Sequence, residues 1–94
     1  MKINTDGLTK NEIEVMEAAR NSNFGDIIES GQWSFSVCEQ TTLGEKVYRG
    51  VVSSLIKKGL VEIHDYEENG RYDDMIFELT EAGKQRYSDY KEDV

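Results

Sequence analysis

The stretch Thr42 to Val61, TLGEKVYRGVVSSLIKKGLV, restricts the possible folds of this chain more than any other. Set on a helix at 100° per residue, Tyr48, Val51, Val52 and Leu55 fall within roughly 60° of one another, an apolar face that must be covered. Lys46, Arg49, Gly50, Ser53 and Lys57 gather on the opposite side. The pattern predicts a helix over 42–58, opened by Thr42 and Glu45 at the spacing of a capping box. Gly59 ends it, and Leu60 and Val61 lead into a strand. Gly50 in its interior costs about 0.5–1 kcal/mol relative to alanine. Either it admits a neighbouring side chain, or its bare Cα lets another molecule come close.

The remainder reads as the body that this helix packs on. Residues 1–94 make one domain, near the lower end of what encloses a self-sufficient core. Residues 1–7 are a short extended lead-in. Thr9 and Glu12 have capping-box spacing, with Leu8 and Ile13 placed as a hydrophobic staple, and predict a helix over 10–21. Ile13, Met16 and Ala19 or Arg20 would face its core side, with Glu14 and Glu17 outside. Asp26 to Ser30 can form one helical turn burying Phe24, Ile27 or Ile28. Trp33 reads as extended and Ser36 to Gln40 as helical, with Trp33 and Phe35 as core anchors. Residues 61–79 alternate as a hairpin, strands 61–66 and 73–79, with its tip at Glu68 to Arg71. Thr80 caps a last helix, 81–91, whose Ala82, Tyr87 and Tyr90 complete the core or meet a second copy.

The order is therefore helix, short helix or strand, helix, hairpin, helix: an α+β domain. LeuThrLysAsnGluIleGluValMet at 8–16, SerLeuIleLysLysGlyLeuVal at 54–61 and GluLeuThrGluAlaGly at 78–83 resemble landmarks of winged helix-turn-helix regulators of the multiple-antibiotic-resistance (MarR) type. The similarity spans about residues 8–87. It implies a three-helix core, a two-stranded wing at 61–79 and a C-terminal helix. Two departures stand out. Where that family carries Asp-x-Arg at the wing, Asn69-Gly70-Arg71 keeps only the arginine, and the chain is too short for the family's long dimerisation helices. Small phage and mobile-element winged-helix proteins are similar in size.

Charge gives the helix at 43–58 its expected role. The chain carries a net −8, yet residues 46–58 hold Lys46, Arg49, Lys57 and Lys58 and no acid. Duplex DNA is thus the expected partner of a transcriptional regulator. Arg49 would bond a guanine edge, with Lys46, Lys57, Lys58 and Thr41 or Thr42 on phosphate, Gly50 and Ser53 at the contact surface, and Arg71 in the minor groove. Residues 62–74 weigh against a conventional wing, because six carboxylates there face Arg71 alone. The alternative is an acidic protein-binding module, such as a phage modulator of a host nucleic-acid-binding protein. A homodimer or protein partner would supply affinity that one helix lacks. Catalytic spacings are absent, so no enzyme activity and no cofactor are expected. Lone Cys38 and lone His64 exclude a structural zinc site, which takes about four such ligands. Cys38 reads as a small buried hydrophobe and His64 as a solvated strand residue. No run reaches the ~20 apolar residues that span a bilayer, and the expectation is a cytoplasmic protein.

Overall fold

Thr9 opens the first helix by the reciprocal contact that its spacing from Glu12 predicts. The Thr9 N–H donates to Glu12 Oε1 at 2.8 Å, and the Glu12 N–H donates to Thr9 Oγ1 at 3.2 Å. The computed structural model describes residues 3–21, 27, 28, 30–71 and 74–87. Within them the elements are α1 (Lys10–Asn21), β1 (Gln32–Trp33), α2 (Ser34–Glu39), α3 (Glu45–Lys57), β2 (Val61–Asp65), β3 (Met75–Leu79) and α4 (Glu81–Lys84). They form an α+β domain with one antiparallel sheet of order β1-β3-β2.

Period-2 patterning decides what the sheet buries. Val61 pairs with Leu79 and Ile63 with Phe77, and these side chains turn inward, where Val61, Phe77 and Leu79 are buried. Against them lie Val15, Met16 and Ala19 of α1, Val37 of α2, and Tyr48, Val52 and Leu55 of α3. The α1 stripe differs from the expected one: Glu12, Val15, Met16, Ala18 and Ala19 are buried, whereas Ile13 is half-buried. A carboxylate takes a core position there because α3 brings donors to it.

The hairpin gains a third strand. Trp33 is extended as expected, but α2 starts at Ser34 rather than Ser36. Trp33 pairs with Ile76, on the face of the sheet turned away from the helices. Trp33 and Phe35 are consequently half-buried and stack on each other, centroids 6.4 Å apart, instead of anchoring the core. Gly31 permits this, because a Cβ there would lie 2.6 Å from Ile76 Cγ2.

The chain ends meet across the body. Ile3 forms an isolated antiparallel bridge with Tyr87, and the Asn4 N–H donates to Arg86 O at 2.7 Å. The lead-in is thus held rather than frayed. Tyr87 is buried, and its hydroxyl donates to Met16 O at 2.7 Å, as a core role for this tyrosine requires. That placement stops the last helix at Lys84, short of the expected 91. Ala82 is exposed and Gly83 buried, the reverse of the expected apolar side. Expectations for Phe24, for Asp26 and Glu29 in the turn at 26–30, for Asp73 and for 88–91 with Tyr90 lie outside the described residues. No helix among the described residues is long and apolar enough to cross a membrane.

Candidate nucleic-acid interface

Helix α3 is fixed by its inner face. Tyr48, Val52 and Leu55 are buried, and Tyr48 Oη shares a hydrogen bond of 3.0 Å with Ser34 Oγ. Burying these three side chains stabilises the packing by several kcal/mol, at roughly 1.5–3 kcal/mol for each large apolar group. The opposite face is thereby turned outward. Lys46, Arg49, Gly50, Ser53 and Lys57 are all exposed, as their shared helical side predicts.

Gly50 separates the two readings left open by its sequence context. A Cβ built on it would meet nothing within 4 Å, so no neighbouring side chain requires the glycine. Gly50→Ala is expected to stabilise the domain by about 0.5–1 kcal/mol through helix propensity. A thermal melt should show the midpoint rising by a few degrees. A fall would mean that a contact crosses this position.

Arg49 extends along the ridge with a partner of its own. Its Nη2 lies 2.7 Å from Glu45 Oε1, one turn earlier, and both side chains are more than half exposed. An exposed pair at this spacing stabilises by only about 0.3–0.5 kcal/mol. The guanidinium can therefore exchange that carboxylate for another acceptor at small cost. The i,i+4 spacing of Glu45 and Arg49 is visible in the sequence, although capping was the role expected for Glu45.

Three of the expected phosphate contacts are engaged within the fold. Lys58 Nζ donates to Glu12 Oε1 at 2.6 Å and to Gly7 O at 2.8 Å. It is the counter-charge of a buried carboxylate, which explains why an acid tolerates a core position on α1. Ser54 Oγ also donates to Glu12 Oε2, at 2.6 Å. Burial opposes ionisation of Glu12, but the bonds from Lys58, Ser54 and the Thr9 N–H outweigh it and bring the carboxyl down to about 2. Nothing local in the sequence joins Glu12 to a lysine 46 positions away.

Thr42 is not the cap of α3. The helix begins at Glu45 behind Gly44, an extended N-cap residue with no side-chain bond. Thr42 instead gives its N–H and its hydroxyl to Glu14 Oε2, at 2.5 and 2.8 Å. Those two bonds hold the Glu14 carboxyl below its usual value. A charged acceptor on α1 outcompetes the N–H groups of α3, because hydrogen bonds to carboxylates are about twice as strong as neutral ones. Thr41 Oγ1 donates to Cys38 O at 2.7 Å and accepts from the Leu43 N–H at 3.2 Å. Both threonines thus shape the α2–α3 turn. Cys38 is half-buried against the core.

The hairpin flanks this surface. A groove of about 330 Å³, lined among others by Arg49, Val52, Ile56, Ile63, Gly70 and Met75, runs between α3 and the β2–β3 turn. Arg71 stands exposed beside it. The turn is organised by Asp65, whose carboxylate accepts from the N–H groups of Asn69 and Gly70 at 3.3 and 2.6 Å. Gly70 adopts φ 73°, a left-handed conformation that glycine enters without steric cost. Ile76, expected to lie against the body, is instead on the outer face of the sheet beside Trp33. His64 is exposed on that same face.

No protein-family model, curated protein or solved structure matches this chain.

Proposed function

We propose that this protein is a winged-helix DNA-binding protein, a small transcriptional regulator that reads duplex DNA with α3. The observation that carries the reading is the exposed ridge Lys46, Arg49, Gly50, Ser53, Lys57 on a helix whose other side is buried. At 1.5 Å per residue the ridge runs ~16 Å, about what an inserted helix presents to the major groove. A hairpin directly after α3 is compatible with a winged-helix layout.

The roles follow from side-chain chemistry. Arg49, releasing Glu45, offers a planar fork that matches O6 and N7 of guanine. Lys46 and Lys57 are point charges suited to phosphate, and the missing Cβ of Gly50 allows close approach of the backbone. Lys58, Thr41 and Thr42 have no part in the contact. Two phosphate contacts give a log–log salt slope of about −2, at roughly −0.9 for each. The hairpin contributes Arg71 alone, since its carboxylates repel phosphate. Such a contact is weak for one copy, and a symmetric pair on a palindrome would supply useful affinity.

Selection from random duplexes at low salt tests the reading. A palindrome with half-sites ~34 Å apart is the expected result. Arg49→Ala should then abolish preference at one base pair, worth about 1–3 kcal/mol. Lys57→Ala should weaken all duplexes alike and flatten the salt slope by about 1. Failure to enrich any sequence, together with no duplex binding at low salt, would remove the proposal.

A further inference from the structure

The face of the sheet turned away from α3 carries a second surface, opposite in sign to the first. Register places Trp33, Ile76 and His64 side by side across β1, β3 and β2, with Glu62 opposite Glu78 in the next row. Tyr66, 66% exposed, stands edge-on to Trp33 with centroids 5.8 Å apart. Phe35 lies on the other side of the indole. The result is an aromatic ledge bordered by carboxylates.

The carboxylates are set in a way the fold alone does not favour. Like charges directly opposite one another in a ladder destabilise the pairing, yet Glu62 and Glu78 are direct partners and both about half exposed. Each places an oxygen 3.3 Å from His64 Nε2, so the two carboxylates converge on one point. An incoming cation at that point would relieve their repulsion. Residues 61–79 contain seven carboxylates and one arginine, so phosphate and anionic lipid are repelled from this side.

We propose that this outer sheet face docks an arginine-bearing segment of a basic polypeptide. A guanidinium is the cation that suits both halves of the surface. Its plane stacks on Trp33 or Tyr66, and its fork takes up a carboxylate through two parallel hydrogen bonds. A lysine ammonium offers neither the plane nor the fork. Because the ledge lies on the far side of the sheet from α3, its occupation does not depend on what α3 binds. A failure here leaves the DNA reading standing, and the reverse also holds.

Trp33 is the only tryptophan of the chain, and its fluorescence reports directly on the ledge. Titration of the full chain with nona-arginine at low salt should change its emission saturably, and nona-lysine should bind more weakly by about 3-fold or more. Glu62→Lys with Glu78→Lys should weaken the arginine peptide by about 10-fold or more through loss of the charge-assisted bonds. Glu17→Lys with Glu39→Lys, exposed acids on α1 and α2, changes the net charge equally and should cost far less. Tyr66→Ser, at a site too exposed to unfold the domain, should cost about 3-fold. Equal losses for the two double variants would reduce the binding to net charge and overturn the proposal. So would equal affinity for the two peptides. Self-association at low salt that disappears in Lys46→Glu would also overturn it, by assigning the ledge to the α3 of a second copy.

Discussion

Gly83→Ala is expected to lower the thermal midpoint by about 10–25 °C, the largest effect of any single methyl group in this protein. An alanine Cβ at this position would lie 2.0 Å from Leu60 O and 3.0 Å from Leu60 C. Both are backbone atoms, so no side-chain rotation relieves the clash. The same carbonyl accepts from the Thr80 N–H at 3.1 Å, and Thr80 Oγ1 donates to Gly59 O at 2.6 Å while accepting from the Gly83 N–H. Moving α4 away from β2 loses bonds worth about 0.5–1.5 kcal/mol each, added to overpacking costs of about 1–3 kcal/mol. A domain of this length has perhaps a dozen kcal/mol of stability at most, about 0.05–0.15 kcal/mol per residue. Circular-dichroism melts of the two proteins provide the check, and an unchanged midpoint would mean that α4 does not press on Leu60.

Glu12→Ala is the second large effect, a loss of about 2–4 kcal/mol. The substitution removes the acceptor shared by Lys58, Ser54 and the Thr9 N–H. Its cost falls below the upper end of the range for a broken buried pair because the Lys58 side chain is 37% exposed and can turn to water. Lys58→Met should cost a similar amount by leaving a buried carboxylate without its counter-charge. The double variant should cost less than the sum, since each partner is the other's burden. The effect also has a pH signature. A carboxyl held near 2, below its ordinary 4.5, stabilises the fold fully above about pH 5 and loses that contribution as pH falls toward 2. Urea unfolding at pH 7 and pH 2.5 should therefore show the gap between wild type and Glu12→Ala narrowing in acid. A gap independent of pH would assign the loss to packing.

These two sites show where reading the chain succeeds and where it stops. Thr9 with Glu12 marks the start of α1 because both halves of a capping box sit within one turn. The outward ridge of α3 is equally legible, since a helical period alone separates Lys46, Arg49, Gly50, Ser53 and Lys57 from Tyr48, Val52 and Leu55. Thr42 with Glu45 has the same spacing as the first box, yet its hydroxyl goes to Glu14, 28 positions away. Trp33 looks like a core anchor by size, and strand register turns it outward instead.

What the chain determines by itself is therefore local: which segments are helical or extended, and which side of α3 is charged. Only the tertiary structure distinguishes Lys57, turned to solvent, from Lys58, bound to Glu12. It also separates Gly50, where a methyl group meets open space, from Gly83, where it meets a carbonyl. The reason is range. Periodicity and capping act over one or two turns, whereas the choice of a hydrogen-bond or packing partner is made among groups that meet only after the chain has closed on itself.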